Sequence, residues 1–102
     1  LDLIKHRGPD DSEILDLTIG QNNIILGHRR LAIQDLSSAG HQPMYSACGK
    51  FIIIFNGEIY NHLDLREKLN NIKFKGHSDT ETIVNYIAKF GIKSVKDFNG
   101  IF

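Results

Sequence analysis

Phe51-Ile52-Ile53-Ile54-Phe55-Asn56-Gly57-Glu58-Ile59-Tyr60-Asn61 runs without a break from an apolar segment into an amide, a glycine and a carboxylate. Residues 51–55 are all β-branched or aromatic, the pattern of a strand covered on both faces, and Asn56-Gly57 is a turn signal that ends it. Polar groups placed there sit on a rigid support. Asn56 offers a side-chain N–H and Gly57 a backbone N–H with no Cβ beside it. Two such donors aimed at one point can hold the negative oxygen of a tetrahedral intermediate, and Glu58 can bind an ammonium group. Taken alone, Phe55 to Asn61 reads more often as a plain strand-ending turn, so the neighbouring segments decide.

Upstream, Gly8-Pro9-Asp10-Asp11 is a turn, and Ile14 to Ile19 alternates as a strand does. Gly20 to Asn23 turns the chain into a second strand, Ile24 to Ile33, so the two form a hairpin. Residues 35–44 read as loop. Downstream, Leu65 and Leu69 lie four apart in residues 61–70 and suit a short amphipathic helix. Ser78 precedes Glu81 at capping-box spacing, Ile83, Val84, Ile87 and Ala88 make one apolar face, and Gly91 supplies a stop. A last short helix over residues 93–98 would turn Val95 and Phe98 inward. Strands followed by mixed helices and strands indicate an α+β domain.

The bulk properties narrow the function classes. A chain of 102 residues holds at most one domain. Twelve Lys and Arg balance twelve Asp and Glu, so no net field favours nucleic acid or an anionic membrane as a partner. No apolar run approaches the roughly 20 residues needed to span a bilayer. The lone Cys48 forms no internal disulfide, and no leader-like segment is visible, which points to a reducing, cytoplasmic setting. His6, His28, His41, His62 and His77 are scattered, with no pair at helical ligand spacing, and argue against a metal site.

Four segments occur in order: His6-Arg7-Gly8-Pro9-Asp10-Asp11-Ser12, Gly27-His28-Arg29-Arg30-Leu31-Ala32-Ile33, Phe55-Asn56-Gly57-Glu58-Ile59-Tyr60-Asn61 and Ser78-Asp79-Thr80-Glu81. Together they closely resemble the glutaminase domain of glutamine-dependent asparagine synthetases, a class II glutamine amidotransferase with the N-terminal-nucleophile hydrolase fold. The likeness runs from about Leu3 to Phe102. It implies a four-layer αββα architecture, of which residues 1–102 would be a partial domain. It also implies a chemistry in which an N-terminal cysteine thiol attacks the glutamine side-chain amide and releases ammonia, and water hydrolyses the thioester. The partners implied are glutamine and a synthetase domain of the same parent chain, where ATP and magnesium would activate aspartate. No cofactor is expected in the glutaminase domain itself.

Carried over residue by residue, the resemblance assigns Arg30 to the glutamine α-carboxylate, Asn56 and Gly57 to the oxyanion hole, and Glu58 and Asp79 to the α-ammonium group, with backbone contacts near Leu31 and Ile33. The chemistry agrees, because a guanidinium takes a carboxylate through two parallel hydrogen bonds and strand alternation lets only one of Arg29 and Arg30 serve. Asp79 also suits a helix N-terminus. His6, Arg7 and Asp10 read as a structural latch or as support behind the substrate contacts. Cys48 lies in a turn without a free α-amino group and reads as a bland small residue rather than a nucleophile.

The chain opens on Leu1 rather than Met and closes on an apolar pair after a turn. This gives the expectation of a piece lacking the nucleophile, inactive alone, with exposed strand edges that favour self-association, such as a homodimer. The alternatives are a nucleophile-less glutamine-binding or interaction module and the amidotransferase domain of a related amide synthetase.

Overall fold

The computed structural model describes residues 1–32 and 37–102. Its first half is a hairpin. Strand β1 (Asp11–Ile19) pairs antiparallel with β2 (Asn22–Arg30) in unbroken register from Asp11 opposite Arg30 to Ile19 opposite Asn22. The two-residue loop between them is opened by Gly20 at φ +62°, a conformation that suits the twist of a tight hairpin. β1 starts three residues earlier than the apolar alternation suggests, because Asp11, Ser12 and Glu13 join the ladder although they are polar. The second strand, expected to reach Ile33, ends at Arg30: Leu31 and Ala32 are outside the ladder, and Ile33 lies outside the described residues.

The second half holds the core. β3 (Met44–Tyr45) pairs with β4 (Ile52–Ile53), and β5 (Glu58–Ile59) pairs with β6 (Gly100–Ile101), both antiparallel. Helix α1 spans His62–Glu67 and helix α2 Asp79–Phe90, with 3₁₀ turns at Asp2–Arg7, Ser38–Gly40 and Ile92–Asp97. Ile59, Leu65, Leu69, Ile83 and Tyr86 form the buried cluster, flanked by Ile53, Phe55, Ile72, Phe74 and Phe98. Aromatic rings extend it in a chain from Phe55 to Phe102, Phe98, Tyr86 and Phe90, with centroids 4.6–6.4 Å apart. The architecture is thus mixed α and β with small two-stranded antiparallel sheets among the described residues.

One expectation needs correcting. Residues 51–55 are not a strand buried on both faces: only Ile52–Ile53 enter a ladder, and Phe51 and Ile54 remain 42% and 43% exposed. Among the described residues β3 is the only strand beside β4, so the apolar run finds cover on one side, where Ile53 and Phe55 turn into the core.

Helix α2 organises this half, and it does so with polar side chains. Ser78 Oγ accepts from the Glu81 N–H at 3.2 Å, as the capping-box spacing predicts. Glu81 does not return a bond to Ser78. Its two carboxylate oxygens accept from the N–H groups of Lys75 and Gly76 at 2.7 and 2.9 Å, bracing the approach to the helix. Arg66 on α1 closes the same turn: it donates to Thr82 Oγ1 at 2.9 Å, to the Gly76 carbonyl at 2.8 Å and to the Ser78 carbonyl at 3.0 Å. Its guanidinium also stacks 3.8 Å from the Phe74 ring centroid. The helix ends where Gly91 donates to the Ile87 carbonyl at 2.8 Å.

Arg66→Ala removes three hydrogen bonds and a stacked cation and is expected to cost about 2–3 kcal/mol in urea unfolding. Ser78→Ala, which loses one cap, should cost about 1 kcal/mol. Equal losses for the two variants would show that the Arg66 bonds add nothing beyond a cap.

Candidate functional site

An open cavity of about 970 Å³ lies where the end of β2, the 54–58 corner and the first turn of α2 meet. Arg30, Leu31, Asn56, Gly57, Glu58 and Asp79 all line it. These are the site residues expected from sequence, with one exception: Ile33 lies outside the described residues. Chain segments more than twenty residues apart therefore converge on one recess.

Arg30 is the last residue of β2 and is 9% exposed. Its Nη1 donates to the Ser37 carbonyl at 2.5 Å, and the guanidinium lies against Gly40, where any Cβ would strike it. A glycine is therefore required at position 40 to let a planar cation in. Among the described residues no carboxylate pairs with this guanidinium. Its charge reaches the Asp11 carboxylate, and its fork geometry matches a planar anion.

Strand alternation gives Arg29 a different partner, its Nε donating to the Gly8 carbonyl at 3.0 Å, although Arg29 and Gly8 also contribute to the cavity wall. Asp10 fastens the same edge: its carboxylate accepts from the Ala32 N–H at 2.9 Å, and its own N–H donates to the Arg30 carbonyl at 3.0 Å. Asp10 thus acts as the latch read from the sequence, Arg7 reaches the cavity wall, and His6 is exposed.

The 54–58 corner also lines the cavity. Gly57 is held against the backbone of β6, since an added Cβ would meet the Ile101 carbonyl oxygen and lie 2.8 Å from the Phe55 ring. The sequence offers a turn and a free N–H as reasons for glycine here, and the structure adds the close approach of a strand. Asn56 and Glu58 are exposed on the cavity side. Asp79, the first residue of α2, is 6% exposed, and its Oδ2 accepts from the Ile59 N–H at 2.8 Å. It joins the helix N-terminus to β5 while facing the cavity. A cavity lined by a buried cation, two carboxylates and amide donors is complementary to a zwitterion.

Three contributors were not singled out from sequence. Gln42, 7% exposed, accepts from the Phe55 N–H at 2.7 Å through Oε1 and donates to Thr80 Oγ1 at 3.2 Å through Nε2. Gln42 and Thr80 both line the cavity. His28, on β2, lines it as well. For Thr80 a signal existed: Asp79, Thr80, Thr82 and Asn85 are weak helix formers in a well-capped helix, a local mismatch that tends to mark side chains with outside partners. No such signal marks Gln42.

His41 ties the loop before Gln42 to the hairpin. Its Nδ1 hydrogen-bonds Asp11 and its Nε2 lies 3.3 Å from Glu13. Burial pushes the Asp11 pKa up, but the His41 hydrogen bond and charge, the Ser12 N–H and Arg30 together hold it below the usual carboxylate value. Burial depresses the imidazole pKa of His28, against opposing contributions from the Phe55 backbone and Asp11. Burial likewise depresses that of His62, against Asp79. The exposed Cys48 thiol is lowered by hydrogen bonds from Ser46 and the Lys50 backbone, but it lies in the 46–49 turn and does not line the cavity.

The profile of the glutamine amidotransferase domain family matches residues 1–102. The chain is 45% identical to the putative asparagine synthetase (glutamine-hydrolyzing) 2 of Methanocaldococcus jannaschii, over 96% of its own length and 22% of the relative's. It is 40% identical to asparagine synthetase (glutamine-hydrolyzing) 1 of Arabidopsis thaliana, over 97% of its length and 16% of the relative's. With a probable asparagine synthetase (glutamine-hydrolyzing) of Schizosaccharomyces pombe the identity is 44%, over 97% and 17%. The chain therefore spans less than a quarter of the length of each of these relatives.

Both depressed histidines bind a proton less readily in the folded chain than in the unfolded one. Their contribution to stability is full above the unfolded value of 6.5 and is lost as pH falls through the folded values. The Asp11 contribution is present above 3.8 and disappears only below it. Urea midpoints should therefore drop between about pH 7.5 and about pH 5.5, and the drop should shrink in His62→Gln. A midpoint unchanged over that range would show that neither ring is held neutral by the fold.

Proposed function

Because the chain belongs to the glutamine amidotransferase domain family, we propose that it supplies the glutamine-binding and oxyanion-stabilising residues for glutamine hydrolysis in an asparagine synthetase. What supports the reading is one observation: Arg30, Asn56, Gly57, Glu58 and Asp79, from three parts of the chain, line one cavity. In this reading Arg30 takes the α-carboxylate through its fork of N–H donors, and Glu58 and Asp79 face the α-ammonium group. The side-chain amide carbon then lies at the 56–57 corner. A cysteine thiol at the mature N-terminus of the full-length protein attacks that carbon, and the carbonyl oxygen becomes an oxyanion beside the Asn56 side-chain N–H and the Gly57 backbone N–H. Collapse expels ammonia and leaves a thioester, which water hydrolyses to glutamate.

The same proposal extends to the whole protein. Its fold around this segment would be the four-layer αββα arrangement. Ammonia would pass to a synthetase domain that uses ATP and magnesium to amidate aspartate in the cytoplasm. Phe51, Ile54, Ile101 and Phe102 are each at least 42% exposed, which suits packing against further parts of that protein or a second copy of it.

Glutaminase kinetics of the full-length protein test the roles. Arg30→Ala should raise KM about tenfold or more with kcat largely kept, because a carboxylate contact exists in both the ground and transition states. Asn56→Ala should lower kcat about 10²- to 10³-fold with little change in KM, because its donor matters only once the oxyanion forms. Cys48→Ala should match the wild type. The reverse pattern for Arg30 and Asn56 would exchange their roles, and loss of turnover in Cys48→Ala would make that thiol the nucleophile.

A further inference from the structure

We infer that Gln42 is a positioning residue for glutamine hydrolysis, setting the oxyanion corner in register with helix α2. This rests on the function proposed above and adds a residue to it. The ladder of β4 ends at Ile53, and β5 begins only at Glu58, so residues 54–57 carry the corner without sheet pairing. The Gln42 side chain bonds to that stretch directly, its Oε1 accepting from the Phe55 N–H at 2.7 Å, one residue before Asn56. The other end of the same amide donates to Thr80 Oγ1 at 3.2 Å. Thr80 follows Asp79, whose carboxylate holds the Ile59 N–H on the far side of the corner.

The corner is thus pinned at both flanks to one helical turn: through Gln42 before Asn56, and through Asp79 after Glu58. Gln42 and Thr80 are 7% and 4% exposed, so water does not readily replace either bond. Pro43 follows Gln42 directly, and Gly40, two residues before it, carries the Arg30 guanidinium. The loop that fixes the corner therefore also cradles the residue assigned to the α-carboxylate. An oxyanion donor works only when it is aimed before the charge forms, and a displacement of about 1 Å can cost about 100-fold in rate.

The experiment compares three variants of the full-length protein. Gln42→Met keeps length and bulk but loses both bonds. Gln42→Glu keeps an acceptor for the Phe55 N–H, with the Thr80 hydroxyl turned to donate. Asn85→Met is a matched control away from the cavity: Asn85 is 3% exposed, and its amide accepts from the Ala47 N–H and donates to the Glu81 carbonyl, each at 2.8 Å.

For Gln42→Met we expect kcat to fall about 10- to 100-fold with KM changed less than about threefold, and backbone amide exchange across residues 54–58 to accelerate. Gln42→Glu should recover most of the lost kcat. Asn85→Met should lower stability yet leave both kcat per folded molecule and exchange at 54–58 unchanged. If Gln42→Met fails to fold, Thr80→Val, which removes only the far end of the bridge, should show the same kcat effect in smaller measure.

An active wild type whose Gln42→Met and Thr80→Val variants keep kcat, or lose it only as much as Asn85→Met does, would overturn this inference alone. A wild type without glutaminase activity would overturn the proposed function, and this inference with it.

Discussion

The fold depends on the buried polar turn at the start of α2. Buried backbone N–H groups must find acceptors, and in this chain the helix provides them for several loop residues and for Ile59 of β5. Asp79 serves Ile59, Glu81 serves Lys75 and Gly76, and Asn85 serves Ala47, while Thr80 anchors the amide that serves Phe55. Farther along, the Tyr86 hydroxyl donates to Asp97 at 2.9 Å, and burial together with that carboxylate pushes the phenol pKa up. Every buried side-chain polar atom among the described residues has a partner. Strands β3 to β6 are two residues each, too short to hold a register by themselves, so helix side chains fix it for them.

This explains what was legible in the sequence and what was not. The hairpin, the two helices and the stop at Gly91 follow from local period and capping chemistry, which act over a few residues. The expected site residues come from motifs, and all of those described line one cavity. Gln42 was not legible, because its meaning lies in two bonds to residues 13 and 38 positions away, and no local pattern encodes such a span. Residues 51–55 were misread for a related reason. An all-apolar run states that a strand can be covered on both faces, but cover is a property of its neighbours, and β4 has one neighbour among the described residues.

Gly40 and Gly57 show a second kind of information that sequence carries ambiguously. Each reads as a turn residue, yet each is required by an object pressed against it: the Arg30 guanidinium at Gly40 and the Ile101 carbonyl at Gly57. Both objects belong to the cavity or to its supporting strand. Close backbone approach, more than positive φ, is what these glycines supply.

The cavity lies at a mechanical seam, and the seam has a consequence for binding. All of the core cluster comes from residues 53–98, whereas the hairpin contributes none of it and leaves Ile14, Ile19 and Ile25 more than half exposed. Among the described residues, polar bonds at its base tie the hairpin to the rest: His41 to Asp11 and Glu13, and Arg30 to Ser37. Such bonds contribute about 1 kcal/mol each, much less than a packed apolar face. A zwitterion bound between Arg30 on the hairpin and Asp79 on α2 would therefore add a cross-link across that base. By linkage, a ligand that favours the closed seam must itself be bound less tightly whenever the base loosens. With the proposed zwitterion bound there, affinity and rigidity of the hairpin base would be two readings of one free energy, and a substitution at His41, which lies outside the cavity lining, would act on binding through it.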